Sequence, residues 1–206
     1  MASEGNQTNK GMLIIISGPS GSGKGTVVKA LDPQRYALSV SVTTRISRPG
    51  EVHGRDYFFH SMKDFEAMRE EGRLLEHAYF CGNCYGTPKD YVEKEINEGK
   101  TVVLEIEVNG ALQVREKISN CVLIFLVPPT LEELSKRLIA RNTESAESIE
   151  DRLLRAQEEI ELLGKYDYLV INDKVENAVR RIDAIVEAEA LKPFRCRGKI
   201  SKLEHI

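Results

Sequence analysis

Apolar residues in this chain gather in short continuous runs: Met12 to Ile16, Ala37 to Val42, Thr101 to Ile106, Cys121 to Val127 and Tyr168 to Ile171. A run of strand length without polar alternation marks a strand buried on both faces. Stretches with helical potential separate most of these runs, and that order predicts a parallel sheet covered by helices. Lys24 to Leu31 is a predicted helix ending before Asp32-Pro33, where proline cannot continue it. Ala178 to Ala190 is a predicted final helix, and no internal repeat or low-complexity segment is visible.

Between the second and third runs lie about sixty residues, too varied in pattern for one crossover helix. Arg55 to His60 and Leu74 to Phe80 read as strands of a separate small lobe, with a helix over Lys63 to Glu71 closed by Gly72. After the fourth run, Pro128-Pro129 stops the sheet and Thr130-Leu-Glu-Glu133 forms a capping box. The helix it opens turns Leu131, Leu134 and Leu138 inward and carries Arg137 and Arg141 on one flank. Asn142 to Ser148 is a polar break. A second helix bears Ile149, Leu153, Ala156, Ile160 and Leu163 on one stripe with Arg152 and Arg155 beside it, and ends at Gly164. Two helices joined by a polar loop, with arginines at their edges, look like a lid, although solvated charge gives the same spacing.

Composition narrows the classes. The chain has 206 residues, a net charge of −3 and 30% charged residues, so one α/β core with inserted lobes is expected and no global attraction to nucleic acid. Met1 to Lys10 is polar, and no apolar run approaches the ~20 residues of a membrane span. A cytoplasmic protein without membrane or nucleic-acid partners is expected; oligomeric state is not legible. Four cysteines fit a reducing compartment, Cys81-Gly-Asn-Cys84 has no second pair to complete a metal site, and the four histidines at 53, 60, 77 and 205 are scattered. The tail from Leu191 to Ile206 is basic and reads as a frayed, solvated terminus.

The chemistry concentrates after the first run, at Gly18-Pro19-Ser20-Gly21-Ser22-Gly23-Lys24-Gly25-Thr26. Strand, glycine loop and helix are the context in which backbone N–H groups can cradle phosphate, the helix N-terminus adds positive potential, and the lysine reaches the β- and γ-phosphates. The hydroxyl that usually follows the lysine and reaches Mg²⁺ is displaced by Gly25 to Thr26. A second cluster, Ser41-Val-Thr-Thr-Arg45-Ile-Ser-Arg48 onward to Tyr57, leaves the end of the second strand. Arg45 and Arg48, backed by Tyr57 and Tyr85, form a candidate clamp for another phosphate, because guanidinium and phosphate pair through two hydrogen bonds. Two phosphate sites imply transfer from a nucleoside triphosphate to a phosphorylated acceptor.

These motifs resemble the guanylate kinases, a P-loop nucleoside monophosphate kinase family, from about Met12 to Ala188. The Ser-x-Thr-Thr-Arg-x-x-Arg-x-Gly-Glu-x-x-Gly-x-Asp-Tyr stretch is far more specific than the loop. Glu76, the Asn83-x-Tyr85-Gly86-Thr87 turn and the arginine lid complete the likeness. The resemblance implies an α/β fold: a P-loop core of about five parallel strands covered by helices, an inserted nucleoside-monophosphate-binding lobe and a helical lid. The core would take in roughly 11–40, 91–136 and 161–190, the GMP lobe roughly 41–90 and the lid roughly 137–160. It implies phosphorylation of GMP and dGMP by ATP with Mg²⁺, the metal travelling with ATP and standing near Thr26. Ser41, Glu76 and Thr87 would read guanine, while Arg45, Arg48, Tyr57 and Tyr85 hold the GMP phosphate. Arg137, Arg141 and Arg152 would close on ATP, with Asn172 beside adenine.

One stretch departs from the family. Many relatives carry Asp-Ile-Asp-x-Gln-Gly where this chain has Glu105-Ile-Glu107-Val-Asn109-Gly110, so each carboxylate reaches one methylene further; Glu105 is expected on the GMP side. Two other readings share the pattern: a silent protein-interaction module, which has no use for ATP-side charges, and a kinase for another phosphorylated acceptor. Glu76 and Thr87 discriminate the latter.

Overall fold

The computed structural model describes residues 11–80, 82–139 and 146–200. Strand β1 (Met12–Ser17) runs into the glycine loop and helix α1 (Lys24–Lys29), followed by β2 (Tyr36–Leu38). The intervening segment contains β3 (Val42–Thr43), β4 (Phe58–Phe59), α2 (Met62–Glu70), β5 (Leu74–Phe80) and β6 (Asn83–Pro88). The chain then returns through α3 (Lys89–Asn97), β7 (Thr101–Glu105), α4 (Val108–Lys117) and β8 (Val122–Val127). Helices α5 (Leu131–Ile139) and α6 (Ala146–Glu161) and a 3₁₀ turn (Leu162–Lys165) precede β9 (Tyr168–Ile171), α7 (Val175–Ala190) and α8 (Pro193–Ile200).

The core sheet is parallel, with the order β2-β7-β1-β8-β9. The inner strands β7, β1 and β8 are mostly apolar because both faces are covered, whereas edge strand β9 leaves Leu169 and Ile171 exposed. Ile14 and Ile16 of β1 pack with Val27 and Val28 of α1 and Ile182 of α7. The alternate residues Leu13 and Ile15 pack with Val92 of α3 and Ala111 and Val114 of α4. At ~1.5–3 kcal/mol for each large aliphatic side chain fully buried, this double-sided core is the main stabilising term. From central β1 the chain goes first to β2 and β7 on one side and later to β8 and β9 on the other. The crevice at the carboxyl end of β1 therefore lies at the topological switch point, where α/β sheets bind ligands.

The second sheet has the order β4-β3-β6-β5, mostly antiparallel. Three expectations change here. The run Ala37 to Val42 is two strands: Ser39 still donates to the carbonyl of Val103, after which Val42 joins a different core with Phe65, Met68 and Leu74. One apolar run thus serves two sheets. Only Phe58–Phe59 of the stretch Arg55 to His60 is a strand, because the Asp56 carboxylate accepts from Val52 N and Arg55 and holds a turn. The expected turn at Asn83 to Thr87 is strand β6, the pairing partner of both β3 and β5; neighbours on both edges override its weak local propensity.

The capping box forms by half: Glu133 N–H donates to Thr130 Oγ1, while the Glu133 carboxylate accepts from Arg137. Most of the polar break lies outside the described residues, as do Arg141 and Cys81. The basic tail is corrected in part, since Pro193–Ile200 is helical, while 201–206 lie outside the described residues. Arg195 donates to Asn120 O at 2.6 Å and meets Glu189, a 2% exposed carboxylate that also accepts from Tyr168 and Lys192. No helix among the described residues is long and apolar enough to cross a membrane.

Candidate active site

The glycine loop turns sharply out of β1. Gly18 has φ +140°, and a Cβ there would stand 2.2 Å from Leu126 O; Gly23 has φ +92°, and its Cβ would stand 2.4 Å from Asn172 Nδ2. Only glycine fits either place. The buried Lys24 amino group turns back to Gly18 O at 2.5 Å and Pro19 O at 3.2 Å, with Glu107 at 4.0 Å. Thr26 is exposed on the first turn of α1.

Braces surround the loop. Asn172 is buried and its amide donates to Ser22 O at 2.8 Å, so its visible role is to hold the loop. Arg137, fixed by Glu133, donates to the carbonyls of Ser22 and Asn172. Arg152 of α6 reaches Ser20 Oγ at 3.2 Å, which carries positive charge from α6 to the loop.

Across the crevice stands the second cluster. Arg45 forms a two-pronged bond to Glu51, at 2.8 and 3.0 Å, and lies over the rings of Tyr57 and Phe59. Glu51 also accepts from Arg48 N, and these bonds hold its carboxyl below the ordinary range. The Arg48 side chain is exposed. Tyr57 and Tyr85 meet edge to face at 6.1 Å.

Deeper in, Glu76 is 4% exposed and accepts from Thr87 Oγ1 at 2.7 Å. Burial pushes its carboxyl up to about 7, against the pull of Thr87 and Lys117. A cavity of about 290 Å³ joins the two halves: Lys24, Glu105 and Glu107 line it together with Ser41, Tyr57, Glu76 and Tyr85. Glu105 opens onto this cavity yet is flanked by protein, and partial desolvation raises it despite Lys24.

Two residues were not singled out by sequence. Glu51 stood only as a motif letter, although glutamate beside paired arginines was a readable signal. Glu159 of α6 looks like one more helix acid, yet its Oε2 is buried without a partner among the described residues. Burial and the nearby Glu107 charge push it up to about 7.

A glycine loop with its lysine at the switch point, sharing one cavity with Tyr57, Glu76 and Tyr85 while Arg45 and Arg48 stand outside that lining, fits a P-loop kinase of phosphorylated small molecules. The guanylate kinase family model matches residues 10–189. Guanylate kinase from Lactococcus lactis is 54% identical over 182 residues, covering 87% of this chain and 89% of the relative. The Shouchella clausii guanylate kinase is 52% identical over 199 residues, covering 96% and 97%. The crystal structure of guanylate kinase from Anaplasma phagocytophilum superposes with a TM-score of 0.75 at 34% identity, covering 90% of this chain and 89% of that one. The chain belongs to the guanylate kinase family, enzymes that phosphorylate GMP at the expense of ATP.

Proposed function

We propose that this chain performs the family reaction, ATP + GMP to ADP + GDP, by direct in-line transfer across the cavity that Lys24 shares with Tyr57, Glu76 and Tyr85. That shared cavity carries the reading. A loop alone serves many triphosphate enzymes, and a clamp alone binds any phosphate; one space lined from both sides suits transfer between them.

The loop from Gly18 to Thr26 holds the ATP phosphates, with Lys24, Arg137 and Arg152 spreading positive charge over the transferring group. Arg45, Arg48, Tyr57 and Tyr85 hold the acceptor phosphate; Ser41, Glu76 and Thr87 read the base. By the family resemblance, dGMP is proposed as a second acceptor. The acceptor is already an anion with a second pKa near 6, and no strong general base is required. Thr26, Glu105 and Glu107 offer oxygen donors beside the loop, the chemistry that suits Mg²⁺. Bound with ATP, the ion would neutralise phosphate charge. Roughly 41–90 would be the acceptor lobe and roughly 137–160 the lid.

A coupled assay of ADP release with ATP and Mg²⁺ tests the reading against GMP, dGMP, AMP, CMP, UMP and ribose phosphates. Turnover confined to GMP and dGMP is expected. Equal turnover of AMP would overturn the base assignment, and no turnover of any acceptor would leave a binding module.

A further inference from the structure

Glu76 stands at an irregularity in its own sheet. The β5–β6 register shifts between Leu74 and His77, so β6 does not hold Glu76 in regular pairing. Such bulges re-aim a side chain and loosen its strand. β5 is also the edge strand of the sheet, and its free edge meets one face of core helix α4. The Gln113 carboxamide treats His77 as a neighbouring strand would, accepting from His77 N at 3.2 Å and donating to His77 O at 3.0 Å. Lys117 donates to Leu75 O at 2.6 Å. Between these two grips, Gly110 presses on the Glu76 side chain: a Cβ at 110 would stand 2.7 Å from Oε2, 3.2 Å from Cδ and 3.5 Å from Cγ.

Positions 110, 113 and 117 lie on one side of a helix. That helix belongs to the core, directly after Glu105 and Glu107 of the site. The base-reading acid is thus fixed to the phosphate-transfer core and not only to its own lobe. We propose that Gly110, Gln113 and Lys117 are positioning residues for base selection: Gln113 and Lys117 hold the bulged strand, and the bare Cα of Gly110 sets where Glu76 Oε2 stands. The inference rests on the proposed role of Glu76 as the acid that reads guanine.

A methyl group at 110 meets the end of a flexible side chain, so the carboxylate moves and the fold stays. Glycine within a helix is itself unfavourable relative to alanine, so Gly110→Ala is expected to melt no lower than the wild type. A carboxylate out of place loses one of the two donors of guanine. Inosine monophosphate, which has N1–H but no 2-amino group, then separates displaced aim from general damage. Dissociation constants of GMP, inosine monophosphate and ATP, with thermal midpoints, are measured by calorimetry for wild type, Gly110→Ala, Gln113→Ala and Glu76→Gln.

The GMP preference over inosine monophosphate is expected to fall roughly tenfold in Gly110→Ala, the scale of one charge-assisted hydrogen bond, with ATP affinity unchanged. Equal weakening of both nucleotides, or an unchanged preference, would overturn the proposal. If Gly110→Ala does not fold, Gln113→Ala decides by the same preference, with a fall supporting the proposal and no change overturning it. An unchanged preference in Glu76→Gln would sink the base reading and this inference together. A fall in Glu76→Gln with none in Gly110→Ala would remove only the inference.

Discussion

Glu76 shows at the scale of one residue how a site works against stability. Its carboxylate can accept from N1–H and the 2-amino group of guanine together, but burial raises it to about 7. The free enzyme therefore holds the acceptor-competent anion fully above that pH and loses it below. The apparent KM for GMP should rise roughly tenfold between pH 8 and pH 6, and this share of the pH profile should vanish in Glu76→Gln. For stability the sign reverses. The folded pKa lies above the unfolded value, so the native state holds the extra proton between about 4.5 and 7, and stability falls as pH rises through that window. At pH 8 Glu76→Gln should melt at or above the wild-type temperature while using GMP poorly; a lower melting point would contradict burial of the charge. Lys24→Ala should lower turnover at least ~10²-fold in folded protein, and wild-type turnover would remove the loop assignment. Lys24 and Arg45 stood out as candidates because each sits in a dense motif, and Glu76 only through the family resemblance. Glu159 did not, because nothing in a helix of glutamates tells which one meets Glu107.

At the scale of elements, local signals succeeded where one element answers to one environment. Strand β9 and the β1–loop–α1 unit stand where the apolar run and the glycines place them. They failed where an element answers to two. Ala37 to Val42 crosses between sheets with no break in its apolarity, and β6 is a strand because β3 and β5 flank it. The tail misled for a related reason: its basic charge reads as solvated until Glu189, buried beneath it, is placed. Arg195→Ala should leave that carboxylate with fewer partners and cost about 1–2 kcal/mol, a fall of a few degrees in Tm, with GMP kinetics unchanged. A melting curve identical to the wild type would show that Tyr168 and Lys192 satisfy Glu189 without α8.

At the scale of the whole molecule, the charges proposed for the reaction come from three units. The loop belongs to the core. The clamp belongs to the second sheet, joined to the core through Ser39–Ser41 and through the passage from β6 to α3. Arg152 belongs to α6, which runs into the 3₁₀ turn. On the proposed assignment ATP would contact the unit that carries Arg152, and GMP the unit that carries Arg45 and Tyr57; a ligand shifts a conformational equilibrium only as far as such differential contacts allow. Each substrate should therefore draw in one unit, and both together should compact the protein more than either alone. Small-angle scattering checks this with GMP plus a non-hydrolysable ATP analogue. Arg152→Ala should lose the ATP-driven share of the compaction and keep the GMP-driven share. An unchanged radius with both ligands bound would mean that the cavity performs transfer without closure. Water would then have to be excluded by the walls already in place, and ATP hydrolysis in the absence of GMP should be as slow in Arg152→Ala as in the wild type.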